Sequence, residues 1–235
     1  MSRPLALAAA PALAMLGIAA VPTVASAATI APSAPCYASQ YRPTSAGGTQ
    51  YQPITGTITG GTPGGRFQIS GVGGKAGFQS GNFDAAGNAT YTLSEGFSTA
   101  GIYPSAGRTV KLEVKEFGAS GTLTTGTTSI KTSTIAIDVA LRPRSPRSKR
   151  VVRVSAPAFA GQKLYGFIVR GKSGKKVLRK FSLGTGNTCG YARTRAVVAP
   201  RNYATGNYYL YINAGSKLNK DKAIGNGFRI RRSAF

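Results

Sequence analysis

A chain of 235 residues with 30 Lys or Arg against 6 Asp or Glu carries a formal charge of +24, and it has neither histidine nor tryptophan. That length holds one large domain or two of ordinary size. The missing histidines exclude His-based catalytic triads and His-ligated metal sites, and the charge is a statement about anionic partners and solubility rather than about fold.

The first 27 residues read as a secretory signal. Arg3 supplies the positive start, Leu5–Ala20 is an apolar run, and Ala25-Ser26-Ala27 fits a small-x-small cleavage site. Pro4, Pro11 and Pro22 in an alanine-rich run argue against a stable membrane span, and no other stretch approaches the required length. Cys36 follows Ser33-Ala34-Pro35, which is not a lipoprotein pattern. The expectation is a secreted or cell-envelope protein with no transmembrane anchor after processing.

Residues 28–140 are expected to form a first β-sandwich module. Short alternating runs, Tyr51–Ile58, Arg66–Ser70, Asn88–Ser94, Thr109–Phe117 and Thr127–Val139, are separated by the turn compositions GGTPGG, DAAGN and SAGR. The net charge here is only +2. Glu113 and Glu116 stand three apart on a strand, so they face opposite sides of the sheet and cannot act as a glycosidase pair.

Leu141–Ser155 (LRPRSPRSKRVVRVS) holds six Lys or Arg and two prolines. Pro143 and Pro146 bias their neighbours towards extended backbone. The segment 141–149 is therefore read as a Pro/Arg-rich joint, with a proteolytic processing site as the alternative.

Residues 150–235 read as a second, strongly basic β-sandwich module. From Leu141 onward the net charge is +21, with Asp221 the single acid. Strands are expected at Arg150–Ser155, Gln162–Arg170, Lys176–Leu183, Tyr191–Val198, Gly206–Asn213 and Gly227–Arg232. Ala192, Thr194 and Ala196 alternate with Arg193 and Arg195, and Phe228 and Ile230 with Arg229 and Arg231. That is apolar-in, basic-out β structure.

Gly166–Ser173 (GFIVRGKS) satisfies a phosphate-loop pattern, but its bulky middle belongs to a strand and no acidic strand follows, so it reads as coincidence. Gly206-Asn-Tyr208-Tyr-Leu210-Tyr-Ile212 resembles the entry to strand F of immunoglobulin-like sandwiches, where the tyrosine hydroxyl ties a corner to nearby backbone. Tyr208, Leu210 and Ile212 then face the core. Tyr209 and Tyr211 face away, either as a stacking platform or packed under a neighbour. Cys36 and Cys189 are the only cysteines; they form one bridge, or stay unpaired or pair between molecules.

The export signal, CYASQYRPTSAGG after it, the Pro/Arg joint and GNTCGYARTRAVVAPRNYATGNYYLYIN together resemble secreted two-module proteins of high-GC Gram-positive bacteria that carry immunoglobulin-like sandwiches. The resemblance implies fold and location, and brings no activity or site residues. The expectation is thus an all-β chain of two immunoglobulin-like sandwiches, without enzymatic activity, cofactor or metal. Its basic module contacts anionic envelope or extracellular polymers through Arg147, Lys149, Arg150, Lys172, Lys175, Lys176, Arg193, Arg195, Arg229 and Arg231. Intracellular nucleic acid is not an expected partner. The rivals are a structural or adhesive module with a protein partner and an extracellular hydrolase with a Ser–Lys site.

Overall fold

The computed structural model describes residues 27–40, 52–73, 77–93, 103–118, 121–140, 148–200 and 202–231, and these residues are built from strands and two short 3-10 turns. Residues 1–26 of the expected signal, residues 141–147 and Arg201 lie outside them. The chain is all-β, and its buried apolar residues separate into two main cores.

Around the first core, β1 (Thr29–Pro32), β3 (Ile54–Thr59) and β6 (Ala89–Leu93) form one sheet in the order β1-β3-β6. The second sheet runs β2-β8-β7-β4-β5, with β2 Cys36–Gln40, β4 Arg66–Gly71, β5 Phe78–Asn82, β7 Arg108–Gly118 and β8 Gly121–Thr134. Period-two alternation buries Ile54 and Ile58 from one sheet against Phe67, Ile69, Val110, Leu112 and Val114 from the other.

The chain changes sheets between β1 and β2, where β1 pairs antiparallel with β3 and β2 pairs parallel with β8. Tyr37 fastens that crossing. Its buried hydroxyl accepts from the Ala34 N–H and donates to the Thr55 carbonyl, both at 2.9 Å. Removing the hydroxyl leaves both backbone groups without this partner, so Tyr37→Phe is expected to cost about 2 kcal/mol. An unchanged urea midpoint contradicts that role.

Glu116 is also buried, facing inward with Val110, Leu112 and Val114, while Glu113 faces out and pairs with Lys115 at 3.0 Å. Glu116 accepts from the Thr62 N–H at 3.0 Å and from the Thr124 hydroxyl at 3.3 Å. It is a structural clasp for the β3–β4 turn.

The second core lies between a three-stranded sheet, β13-β10-β9, and a four-stranded sheet, β12-β11-β14-β15. The strands are β9 (Ala136–Val139), β10 (Arg150–Ser155), β11 (Lys163–Arg170), β12 (Val177–Thr185), β13 (Ala192–Ala196), β14 (Gly206–Ala214) and β15 (Ile224–Ile230). This is the Greek-key arrangement of an immunoglobulin-like sandwich. At its corner the Tyr208 hydroxyl donates to the Ala204 carbonyl at 2.7 Å, and the ring stacks between Tyr203 and Phe228. Gly166 and Arg170 sit within β11, and the turn begins at Gly171 with φ +70°.

Two strand expectations change. Thr127–Val139 is not one strand: β8 ends at Thr134 in the first pair of sheets, and β9 begins at Ala136 beside β10. Because β9 and β10 are antiparallel neighbours, and the Ala140 N–H donates to Val151, the segment 141–149 connects two strands of one sheet. The expected run Gly227–Arg232 starts earlier, at Ile224.

A seam of polar contacts joins the two halves. Cys36 and Cys189 are bridged with Cα atoms 5.3 Å apart. Gly107 approaches Cys189 so closely that a Cβ would lie 2.7 Å from its sulfur, and its φ of +105° suits glycine. The Asn187 side chain donates to the Ala106 carbonyl at 2.9 Å, while the Ser155 hydroxyl donates to the Thr134 carbonyl.

Burial raises the pKa of the Tyr91 hydroxyl well above the ordinary tyrosine value, with Tyr37 adding to the effect. Burial likewise raises Tyr203 and Tyr211. A group held protonated in the folded state contributes stability that is present below the unfolded pKa of about 10 and is lost as pH rises beyond it. The denaturation midpoint should therefore fall once pH exceeds about 10. The Tyr91 hydroxyl is buried without a hydrogen-bond partner among the described residues, so Tyr91→Phe should be neutral or stabilising at pH 7 and blunt the alkaline loss. A midpoint that stays level through that range contradicts the assignment.

Candidate cationic groove

The outer face of the four-stranded sheet is not a bare solvent face. Residues of outward parity on β11 and β14, Phe167, Val169 and Tyr211, are buried, with Tyr165, Tyr209 and Leu218 packed against them. Tyr209 and Tyr211 lie across the glycines of β15: a Cβ on Gly227 or Gly225 would meet their rings at 3.2 and 2.7 Å. These tyrosines thus pack against backbone, and Tyr211 in particular is not an open stacking platform.

What covers this face is the loop after β14. The buried Asn213 side chain organises it, donating to the carbonyls of Ala214 at 2.6 Å and Lys217 at 3.0 Å and accepting from the Asn219 N–H at 3.2 Å. Asn219 then caps the 3-10 turn Lys220–Lys222 by accepting from the Asp221 and Lys222 N–H groups. From that turn Lys220 reaches the β11–β12 turn, donating to the carbonyls of Lys172 at 3.2 Å and Gly174 at 2.7 Å. The Tyr211 hydroxyl donates to Lys172 as well, at 2.9 Å.

Between the loop and β12 runs an open groove of about 680 Å³. Phe167, Val177 and Leu218 give it apolar walls, and Lys175, Lys180, Lys217 and Lys220 rim it, with no acidic residue in the lining. Lys180 stands 4.6 Å over the Tyr165 ring and Lys220 5.5 Å over Tyr211, so two of the four ammonium groups rest on aromatic faces. Lys175 and Lys217 are exposed. The arrangement sets two ring-packed and two exposed ammonium groups around apolar side chains, a combination that attracts anionic groups. Ser173 and Ser216 share the rim, but they and the two lysines beside them are exposed, whereas a Ser–Lys nucleophile needs a desolvated lysine.

The ten cations named from sequence do not form one face. Lys175 lines the groove, and Lys172 and Lys176 flank it in the same turn. Arg229 lies opposite Asn207 on β15 with the outward parity of Tyr209, and Arg231 follows the strand end. Arg193 and Arg195 stand on the outer face of the other sheet. Lys149 is exposed just before β10, whereas Arg150 is half-buried with the inward parity of Val152. Arg147 lies outside the described residues. Missed from sequence were Lys180, Lys217, Lys220, the Phe167 floor and the Asn213 clasp. Three lysines crowded into KLNKDK were the available signal for the loop.

A second opening, of about 690 Å³, lies beside the first core and is lined by Thr57, Thr90, Gln79, Asn82 and Asp84 among others. Asp84 is committed locally, accepting from the Ala86 and Asn88 N–H groups at 2.9 and 2.8 Å. Among the described residues no group of three His, Cys, Asp or Glu is placed to hold a metal, and no helix is long and apolar enough to cross a membrane.

No protein-family model and no curated protein matches the chain. Among solved structures it is similar to the D0–D1 domain of intimin, at 13% identity and TM-score 0.31, over 86% of this chain and 96% of that one. It is similar to the human OSCAR ligand-binding domain at 12% identity and TM-score 0.35, over 88% and 100%. A tetra-tandem repeat from the extending region of a large adhesion protein aligns at 12% identity and TM-score 0.26, over 87% of this chain and 49% of that one. Alignments this loose carry no inference about ligand or activity. The fold and the groove define a disulfide-clasped, basic immunoglobulin-like β-protein.

Proposed function

We propose that this is an exported, non-enzymatic binding protein that holds an anionic polymer of the cell envelope or surroundings on its basic half. Two modules are part of that reading, and strand pairing favours a division at Ile135 over one within 141–149. The observation that carries it is the groove: four lysines around an apolar floor with no carboxylate in the lining. Long-range attraction dominates such contacts, so binding should weaken steeply with salt. The full chain should be retained on phosphocellulose and released as salt rises, while passing through unmodified cellulose. Passage through both matrices at low salt defeats the proposal.

An adhesive role with a protein partner is favoured by one other feature. β5 is the outer strand of its sheet, and Phe78 on it is 71% exposed. Such an edge offers unpaired backbone and an apolar contact to a second chain. Pull-down by a partner that is lost in Phe78→Ser but kept in the lysine variants supports this second reading.

A further inference from the structure

The second core fixes which way the cations of that half can point. Its two sheets pack through Val152, Val154, Ala192 and Ala196 on one side and Leu164, Ile168, Leu210 and Ile212 on the other. Residues alternating with these point away from the core, in opposite directions on the two sheets, and stacked sheets lie about 10 Å apart. On β10 and β13 the outward set is Val151, Arg153, Arg193 and Arg195. Asp138 on β9 faces Arg153 and pairs with it at 2.6 Å. That pair consumes the one acid placed on this face by β9. Arg193 lies across from Arg153, Arg195 lies across from Val151, and both are exposed. Their Cα atoms are roughly 7 Å apart along one edge of the sheet. On the opposite sheet stand the lysine groove and Arg229.

A single straight segment of polymer cannot touch both faces, because the sandwich lies between them. We infer that the basic half is bivalent: the lysine groove holds one polyanion strand, the Arg193/Arg195 face holds a second, and the protein bridges the two. The inference rests on the polyanion reading above and adds cross-linking to it. Two sites on a rigid sandwich convert weak, salt-sensitive contacts into a network through effective concentration. The recognised chemistry is a linear chain of regularly spaced anionic groups, either phosphate or carboxylate.

The test uses the full chain and three charge-reversed variants of equal net charge. Lys175→Glu with Lys217→Glu removes the groove, and Arg193→Glu with Arg195→Glu removes the arginine face. Lys111→Glu with Lys163→Glu, exposed and in neither site, controls for net charge. Short inorganic polyphosphate reports stoichiometry by titration, and long-chain polyphosphate reports bundling by light scattering. Polygalacturonate in a parallel arm separates carboxylate from phosphate recognition. The expected result is two short chains bound per wild-type protein and per control variant, and one per face variant. Scattering should rise and then fall with excess polymer for wild type and control, and stay at baseline for either face variant. Binding of one short chain by wild type, or wild-type bundling by either face variant, overturns bivalency and leaves the polyanion reading standing. Absence of any short-chain binding by wild type in both arms overturns both.

Discussion

Replacing Cys36 and Cys189 together by serine is expected to lower the stability of the oxidised protein by about 5 kcal/mol. The bridge closes a loop of 153 residues, and a loop of that length confers about 5 kcal/mol by restricting the unfolded chain. The position is as important as the length. Cys36 begins β2, whose partner β8 leads directly into β9 of the other core, and Cys189 lies in the turn between β12 and β13. The bridge therefore acts across the seam near Ser155 and Asn187, which also hydrogen-bond to Thr134 and Ala106. Lacking tryptophan, the protein is best followed in guanidinium by its tyrosine emission, from 11 residues. A double variant that unfolds at the wild-type midpoint shows that the bridge adds nothing.

Phe167→Ala should cost about 3 kcal/mol, although Phe167 points away from the main core. On an open sheet face that truncation would be nearly silent. Here Phe167 is 2% exposed, roofed by the loop that Asn213 organises and flanked by Tyr211 and Val169. Its removal opens a cavity beneath Leu218 and unseats the groove floor. Phe167→Leu, which keeps most of the volume, should cost about 1 kcal/mol. Chemical denaturation of both variants measures the difference. A loss below about 1 kcal/mol for the alanine variant means that the loop does not seal this face.

The second half was the more legible. The expected strand Arg150–Ser155 is β10, and in β13 Ala192 and Ala196 are buried while Arg193 and Arg195 between them are exposed. In the first half three strands escaped notice for physical reasons. β1 (TIAP) and β2 (CYASQ) are short, with Pro32 ending the first and Pro35 just before the second, and β5 (FQSGN) is an edge strand with no buried residue. The threonine-rich β8 has little apolar contrast, so its start at Gly121 and the break at Ile135 carry no periodic signal. Parity gave the directions of Arg193 and Arg195, but not that the other sheet would carry a separate set of cations. The groove depends on a loop folding back over a strand face through Asn213, and such tertiary closure leaves no local period to read.

The central claim is that the lysine groove holds a polyanion, and the salt dependence of binding tests it most directly. Polyphosphate affinity of the wild type would be measured across a salt series beside the Lys175→Gln/Lys180→Gln/Lys217→Gln variant. Each lost contact should reduce the slope of log K against log salt by roughly 0.7, so the triple variant should bind more weakly with a slope shallower by roughly 2. A folded variant with wild-type affinity and slope would contradict the account and leave the groove lysines as a solubility feature.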